Sequence, residues 1–308
     1  MASGSGITTW WGKLPVILPC FPAFTFMNKN TNRTNFGHAA KAPLKKYGQH
    51  FLISPDAVQK IIDAAALSPT DAVLEIGPGR GVLTGLLAAN AASVLAVEVD
   101  SRLSEELKRE FSSCRNLTIL NKDFLKLDLP QILDDQGIKK FKVVANLPYY
   151  ITTPILERLF LVRDRIESIV VMVQREMADR MAARPGAEFG SFSVYVQYHA
   201  KVDKLFEVPP GAFFPPPKVT STVIRMTPYQ HPPVKVKDEE AFFKFVQKTF
   251  SQRRKMLRAI FRQAFKIEDS GLVPLAARSG IDLSRRPQTV SLSEFARLYE
   301  CFEKNQPG

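Results

Sequence analysis

Apolar and polar residues follow two alternating periods along the chain from residue 55 onward. Apolar positions at helical spacing predict helices over Pro55–Ala66 and Leu83–Ala89, whereas short apolar runs predict buried strands over Ala72–Ile76 and Ser93–Glu98. Helices that alternate with strands are typical of a parallel sheet covered by helices on both faces. The sequence therefore predicts a doubly wound α/β domain.

The pattern continues to residue 228 and then changes. Further strands are predicted at Leu117–Leu120, Lys142–Ala145, Ile169–Val173 and Thr222–Met226. The last of these is placed near the end of the sheet, after prolines 215–217, because proline lacks the N–H group that a strand ladder needs. Beyond Pro228 the spacing is helical. We therefore divide the chain into an arm (1–40), an α/β domain (41–228) and a small helical domain (229–308).

The net charge of +12 is unevenly distributed. Residues 1–55 carry six Lys or Arg and no acid, residues 56–228 carry 21 of each sign, and residues 229–308 carry 15 basic and nine acidic residues. A neutral body with basic flanks is typical of a protein that approaches a polyanion such as nucleic acid. A charged surface that serves only solubility is the alternative.

The first 40 residues are rich in Ser, Thr, Asn and Gly, show no sustained period and predict a flexible basic arm. Because the arm lacks acidic residues and contains Arg33, an organellar transit peptide is one alternative. Its single arginine and the lack of a clear amphipathic helix favour a dispensable arm on a cytoplasmic protein. Met27 leaves open a different start of translation.

Composition argues against two further classes of protein. The most apolar stretch, Leu14 to Phe26, is interrupted by three prolines and predicts no transmembrane helix. The cysteines, Cys20, Cys114 and Cys301, have no C-x-x-C spacing, so we expect neither a disulfide framework nor a metal site.

The first candidate for chemistry is a glycine-rich turn. The strand that ends at Ile76 runs directly into Gly77-Pro78-Gly79-Arg80-Gly81, and a predicted helix follows. Glycines here let the backbone approach a ligand closely, and a helix amino terminus offers free N–H groups. The spacing G-x-G-x-G, with Glu75 two residues ahead, differs from the G-x-G-x-x-G of dinucleotide enzymes and favours S-adenosylmethionine.

Acidic residues follow the next two strands. Glu98 ends the second strand about 20 residues beyond the loop, where a carboxylate can accept hydrogen bonds from ribose hydroxyls. Asp123 follows the third strand, beside Phe124, and can accept a hydrogen bond from an adenine amino group. Each acid alone could be a solvated strand end. Together they indicate a ligand site at the carboxyl edge of the sheet.

The motif Asn146-Leu147-Pro148-Tyr149 follows the fourth strand. The side-chain oxygen of Asn146 and the backbone carbonyl of Leu147 can accept the two N–H bonds of an aromatic amine, which is a poor nucleophile until its nitrogen becomes tetrahedral. Tyr149 can stack on the target base. A lone N-x-P-Y would more often be a turn, but this position after a glycine loop predicts amine methylation in a nucleic acid.

Four sequence blocks resemble the ribosomal RNA adenine N6,N6-dimethyltransferase family, of the KsgA type, and the resemblance extends over residues about 43–300. They are Tyr47-Gly48-Gln49-His50-Phe51-Leu52, Glu75-Ile76-Gly77-Pro78-Gly79, Asn146-Leu147-Pro148-Tyr149 and Phe213-Phe214-Pro215-Pro216-Pro217-Lys218-Val219. The resemblance implies a Rossmann-like, S-adenosylmethionine-dependent methyltransferase domain with a small C-terminal helical domain. It also implies that two adjacent adenines near the 3′ end of small-subunit RNA each receive two methyl groups.

The resemblance also implies roles for individual residues. The methionine end of the cofactor is expected to contact Gln49, His50 and Leu52, where the family often carries Asn at the position of His50. Phe213 is expected to face Tyr149 across a flipped adenine. The rest of the expected cofactor site consists of Gly77, Gly79, Glu98, Asp123, Phe124 and Asn146.

The predicted helical domain contains a basic segment, Ser251-Gln252-Arg253-Arg254-Lys255. The apolar residues Met256, Leu257, Ile260 and Phe261 follow at helical spacing and are expected to pack, which leaves Arg254, Arg258 and Arg262 on a basic face. We expect RNA phosphates to bind at Arg253, Arg254, Lys255 and Arg258, although a merely solvated face is the alternative.

The predicted reaction is a direct in-line methyl transfer, helped by positioning and electrostatics, because no activated Cys or Ser is placed at the site. The expected partner is the pre-ribosomal small subunit, and the expected state is a monomer that binds neither membrane nor metal. Three alternatives remain: an erythromycin-resistance type enzyme acting on large-subunit RNA, a non-catalytic assembly or transcription factor on the same fold, and a dehydrogenase, which leaves the Asn146 motif unexplained.

Overall fold

A computed structural model describes residues 43–44 and 48–304. The predictions for the arm over residues 1–40 and for Tyr47 fall outside these residues. None of the helices described there is long and apolar enough to cross a membrane.

Nine strands are described in these ranges, and they form two sheets. They are β1 (Phe51–Leu52), β2 (Ala72–Ile76), β3 (Ser93–Glu98), β4 (Leu117–Asn121), β5 (Phe141–Asn146), β6 (Ile166–Gln174), β7 (Ala200–Val208), β8 (Phe213–Phe214) and β9 (Ser221–Pro228). The large sheet has the order β4-β3-β2-β5-β6-β9-β7, and β1 pairs with β8 in a separate antiparallel ribbon.

Eleven α-helices are described. They are α1 (Pro55–Ala65), α2 (Thr84–Asn90), α3 (Ser101–Glu110), α4 (Leu129–Asp135), α5 (Thr152–Phe160), α6 (Arg175–Ala182), α7 (Ser191–His199), α8 (Glu239–Phe250), α9 (Leu257–Gln263), α10 (Asp269–Ser279) and α11 (Leu292–Glu303). The two helices predicted individually from the sequence correspond to α1 and α2, each within one residue at either end.

The sheet confirms the predicted α/β class but corrects its topology. Strands β2 to β6 are parallel, as expected, whereas β9 and β7 join the sheet antiparallel. The predicted strand at 222–226 lies in β9, which is next to the edge strand β7 and so near the end of the sheet, as expected. The edge strand β7 was not predicted, because its sequence AKVDKLFEV mixes charged and apolar residues and resembles no continuous buried run.

Apolar side chains cover both faces of the sheet because successive residues of a strand point to opposite sides. Leu74 and Val143 belong to the cluster on one face, and their neighbours Val73 and Val144 belong to the cluster on the other. The centre of the sheet is therefore buried on both sides. Open parallel sheets bind ligands at the carboxyl edge, where the parallel strands end.

A third apolar cluster holds the C-terminal helices together. It also includes Phe189, Val194 and Tyr198, which lie in α7 or just before it, so the helices after Pro228 share a core with the preceding α/β region. The expected packing of Met256 is wrong, since this residue is half exposed and caps α9 in an extended conformation. Residues 251–255 form a turn, so Arg254 does not lie on one helical face with Arg258 and Arg262.

Candidate active site

A cavity opens at the carboxyl ends of β2, β3 and β5. Its walls come from four stretches of chain that are far apart in sequence: residues 48–52, 75–83, 98–99 and 146–151. The position follows from the fold, because ligands of open parallel sheets bind outside the carboxyl ends of the strands.

The glycine loop forms one wall, and three of its glycines adopt backbone angles that favour glycine. Gly77, Gly79 and Gly81 have φ values of +68°, +59° and +77°. A Cβ atom on Gly81 would lie 2.7 Å from Leu107 Cδ2, so this glycine lets the loop approach α3. A Cβ atom on Gly77 would meet no protein atom within 4 Å. Gly77 therefore leaves room for a ligand, whereas Gly81 serves packing.

Glu98 holds the glycine loop in place. Its carboxylate accepts hydrogen bonds from the Gly79 N–H at 3.0 Å and from the Asp100 N–H at 2.9 Å. Burial raises the pKa of this carboxyl, and hydrogen bonds from the backbone of Asp100, Gly79 and Val99 offset part of that effect. A carboxylate has about four acceptor positions, so capacity remains for a hydroxyl group of a ligand.

Glu75 is the second acid in the cavity wall and is 1% exposed. Burial raises the pKa of its carboxyl to about 8, with the Thr84 hydroxyl lowering it and the nearby Glu98 raising it. Its Oε2 atom has no hydrogen-bond partner among the described residues. A buried acceptor without a partner fits a ligand that carries positive charge or N–H donors, as S-adenosylmethionine does.

Gln49 connects the chain before β1 to the end of β3. Its side-chain nitrogen donates to Asp100 Oδ2 at 3.2 Å, and its side-chain oxygen accepts from the Leu44 N–H at 2.7 Å. Arg102 bonds the same Asp100 carboxylate and lowers its pKa. Both polar ends of Gln49 are thus engaged, which places this residue as a support for the cavity rim.

The amide of Asn146 has a defined orientation. Its Nδ2 atom donates to the backbone carbonyl of His50 at 3.3 Å. A carbonyl can only accept, so the nitrogen must face His50, and Oδ1 is left as the acceptor on the other side of the amide. This matches the acceptor role predicted for the side-chain oxygen.

Tyr149 begins a 3-10 turn three residues after Asn146. The Tyr149 ring stacks on the His50 ring, with centroids 5.9 Å apart. The Tyr149 hydroxyl is hydrogen-bonded to Ser221 Oγ at 2.7 Å, and burial raises its pKa. His50 Nδ1 donates to the Pro215 carbonyl at 2.7 Å, which ties its ring to the proline-rich segment. The ring of Tyr149 is therefore held at both its face and its tip.

Most of the residues predicted for the site lie together. The cavity wall includes Gln49, His50, Leu52, Gly77, Gly79, Glu98, Asn146, Leu147 and Tyr149.

Three predicted residues do not line the cavity. Asp123 caps the short 3-10 turn after β4, accepting from the Leu125 N–H at 3.0 Å, and Phe124 is buried in the core. Phe213 is 3% exposed, pairs with Leu52 in the β1–β8 ribbon and does not line the cavity. The structure gives these residues supporting positions, and their predicted ligand contacts stay predictions.

Several residues of the cavity wall were not predicted from the sequence. Val99 and Tyr150 line the cavity although both are exposed, at 41% and 58%. A signal existed for Val99, an apolar residue directly after a strand end where polar residues are usual. Arg80 also lines the wall, with its guanidinium 4.2 Å from the centre of the Phe51 ring.

The residues predicted to bind RNA lie in the turn between α8 and α9 and in the first turn of α9. Arg253, Arg254, Lys255 and Arg258 are all exposed. Arg253 also donates to the backbone carbonyls of Ala187 and Phe189, the latter at 3.1 Å, and so joins the turn at 251–255 to the loop before α7. Arg262 contacts Asp269 at 3.4 Å.

The five parallel strands, the glycine loop and the oriented amide after β5 together define a Rossmann-like methyltransferase that acts on an amine. Residues 41–304 match the model of a family described as ribosomal RNA adenine dimethylase. The chain belongs to this family, and its methyl donor is S-adenosylmethionine.

The chain is similar to curated proteins over most of its length. It is 43% identical over 265 residues to the ribosomal RNA small subunit methyltransferase A of Lachnoclostridium phytofermentans, covering 84% of this chain and 91% of that protein. It is 42% identical over 266 residues to the protein of that name in Staphylococcus epidermidis, covering 84% and 90%.

Solved structures agree with the fold. A dimethyladenosine transferase from Plasmodium falciparum has a TM-score of 0.68 at 27% identity, covering 83% of this chain and 98% of that one. The 23S rRNA methyltransferase ErmE has a TM-score of 0.65 at 25% identity, covering 82% and 99%. The predicted fold class, enzyme class and cofactor are therefore confirmed.

Proposed function

We propose that this enzyme dimethylates the N6 amino groups of two adjacent adenosines near the 3′ end of small-subunit ribosomal RNA, and that it acts as a monomer on the maturing small subunit. The observation that carries the amine chemistry is the orientation of Asn146, whose Nδ2 atom is engaged by His50 so that Oδ1 faces away from it. The identity of the RNA is supported by relatives of about 42% identity that bear a small-subunit name.

Residues on both sides of the cavity would hold the two substrates. S-adenosylmethionine supplies a methyl group on a positively charged sulfur, which an amine can take directly. Glu98 would accept hydrogen bonds from ribose hydroxyls, Gly77 would leave space beside them, and Glu75 would receive the positively charged end. Gln49 would keep the rim over this end through its bond to Asp100.

The opposite side of the cavity would hold the base. Asn146 Oδ1 and the Leu147 carbonyl would accept the two N–H bonds of the adenine amino group, which favours a tetrahedral nitrogen as positive charge develops. Tyr149 would stack on the flipped base, since its ring is already fixed by His50 and Ser221. Phe213 would support this side from its buried position beside Leu52 in the β1–β8 ribbon.

The test is to locate the modified adenosines. Small and large ribosomal subunits from cells lacking this enzyme would each be incubated with the protein and isotopically labelled S-adenosylmethionine, and their RNA would then be digested and mapped by mass spectrometry. We expect dimethyladenosine at two adjacent positions of the small-subunit RNA and none in the large-subunit RNA. Label in large-subunit RNA would instead support the erythromycin-resistance type of activity. The Asn146→Ala protein is the negative control.

The compartment is tested separately. We propose that the protein acts in the cytoplasm and that residues 1–40 are dispensable for activity. A fluorescent fusion of the full chain, compared with one lacking residues 1–40, would identify a targeting role if only the full chain reached an organelle.

A further inference from the structure

Two consecutive tyrosines at the cavity have different environments. Tyr149 is half buried, and its hydroxyl bonds Ser221, whereas Tyr150 is 58% exposed while also lining the cavity. Both lie in a 3-10 turn that ends at Ile151. Because this turn has three residues per revolution, successive side chains point about 120° apart. Tyr149 thus faces the cavity, Ile151 packs against the core, and Tyr150 stays on the rim.

The exposure of Tyr150 is unusual among the described residues. The large apolar side chains exposed there are few, and Tyr150 is the aromatic one among them: Val99, Tyr150, Leu161, Val219, Met256 and Val273. One edge of its ring packs beside Gly48, whose missing Cβ would lie 3.4 Å from Tyr150 Cδ1. Gly48 has a φ of +56°, so the chain turns sharply there and borders the ring. The ring therefore borders Gly48 while more than half of the residue is accessible to solvent.

The reaction brings a nucleotide to this rim. A base that enters the cavity is turned out of its strand, and its 5′ and 3′ neighbours remain attached outside the mouth. An aromatic ring on the rim offers a stacking surface that accepts any base. We propose that Tyr150 is the stacking surface for the nucleotide that flanks the target adenine. This inference rests on the proposed function, because it needs the target base to lie against Tyr149.

Tyr150 would then act on RNA capture and not on chemistry. Loss of the ring in Tyr150→Ala should weaken binding of the unmethylated small subunit roughly 5- to 150-fold, the range for one base–aromatic stack. Turnover at saturating RNA should change by less than about threefold, because the interaction is the same before and during methyl transfer. Tyr150→Phe should behave as wild type, since it retains the ring. Leu161→Ala is the matched control, because Leu161 is 76% exposed and does not line the cavity.

The experiment measures RNA affinity, S-adenosylmethionine affinity and single-turnover rate for these four proteins. A second arm uses reconstituted small subunits with an abasic nucleotide on either side of the target adenine. If the proposal holds, one abasic position weakens wild-type binding by the same factor as Tyr150→Ala and has no further effect in that variant. Additive losses, an unchanged RNA affinity, or a Tyr150→Phe protein as weak as Tyr150→Ala would each overturn it.

A loss confined to S-adenosylmethionine affinity would also overturn it and would place Tyr150 in the cofactor wall. Failure of the proposed function itself is distinguishable, because the wild-type and Leu161→Ala proteins would then methylate no small-subunit RNA.

Discussion

The backbone carbonyl of His50 accepts a hydrogen bond from the side-chain nitrogen of Asn146 at 3.3 Å, although the two residues are 96 positions apart. The contact uses main chain on one side, so it depends on where the chain runs before β1 and not on the identity of the residue at 50. The orientation of the amine acceptor is therefore set by a segment outside the large sheet. Pairing of β1 with β8 keeps that segment in position.

Asn146→Ala should abolish most methyl transfer while leaving folding and RNA binding intact. The variant loses an acceptor aimed at the target amine, and one such transition-state contact is typically worth about 100- to 1,000-fold in rate. Single-turnover methylation, measured beside RNA affinity, checks this. Asn146→Asp is the comparison: it keeps an acceptor but cannot donate to His50, so we expect it to be impaired as well. A near-normal rate in Asn146→Ala would refute the amine mechanism.

Glu98→Ala should weaken S-adenosylmethionine binding for two reasons. A charged acceptor for ribose hydroxyls disappears, which is worth about 1.5–3 kcal/mol, and the Gly79 N–H loses its partner. Glu98→Gln retains one acceptor oxygen and should fall between the variant and wild type. Isothermal titration with S-adenosylmethionine separates the three proteins. Equal affinities for all three would remove Glu98 from the cofactor site.

Two glycines of the loop should differ in what they affect: one mainly stability, the other mainly cofactor affinity. In Gly81→Ala the new Cβ atom would approach Leu107 and Phe111 to within 2.8 Å, so we expect a loss of about 1–3 kcal/mol in the free energy of unfolding. In Gly77→Ala the methyl group meets no protein atom, so stability should fall less while cofactor affinity falls more. Denaturant unfolding and cofactor titration of both variants check this contrast. If the two variants lost stability and cofactor affinity to the same extent, the contrast would be refuted.

Local patterns were sufficient to predict the parallel half of the sheet. Strands β2, β3, β5 and β6 are largely buried, so their apolar runs are nearly continuous and easy to recognise. The edge strand β7 and the two-residue strands β1 and β8 could not be found in this way. Strand β7 is half exposed, and the short pair exists only because distant segments meet.

The candidate site shows the same division. Motif spacing was sufficient for Asn146, Tyr149 and the glycines, because each directly follows a strand end. It could not show that Phe213 would be buried beside Leu52, since that depends on the β1–β8 pairing. The rim position of Tyr150 depends on the 3-10 turn, which has no distinct sequence signal.

Glu75 predicts a pH dependence of stability. The pKa of this carboxyl is raised to about 8 in the folded protein, whereas in the unfolded chain it has its ordinary value. Between those two pH values the unfolded chain loses a proton that the folded protein keeps. The free energy of unfolding therefore falls as pH rises from 5 to 8, and this group contributes on the order of 4 kcal/mol to the fall. In Glu75→Gln this contribution is absent.

Denaturant unfolding of wild type and Glu75→Gln, at several pH values and without cofactor, measures the effect. The variant should gain stability relative to wild type as pH rises. A difference that stays constant from pH 5 to 8 would mean that Glu75 titrates normally.

The basic residues in the turn between α8 and α9 and in the first turn of α9 should fall into two groups. Arg254, Lys255 and Arg258 are exposed, and their charges are suited to bind RNA phosphates. Arg253 is also exposed, but its guanidinium bonds the carbonyls of Ala187 and Phe189. We therefore expect Arg253→Ala to act mainly through the junction between this turn and the loop before α7.

The triple variant in which Arg254, Lys255 and Arg258 are each replaced by Gln should bind the small subunit more weakly. Its binding should also depend less on salt. Each lost phosphate contact reduces the slope of log affinity against log salt by roughly 0.7 to 0.9, so three contacts should reduce it by about 2. Arg253→Ala should lower the midpoint of thermal unfolding and leave that slope nearly unchanged. Affinity for S-adenosylmethionine, measured over the same salt range, is the internal control, because a cavity ligand releases few counterions. A salt slope unaltered by the triple change would place the RNA surface elsewhere on the protein.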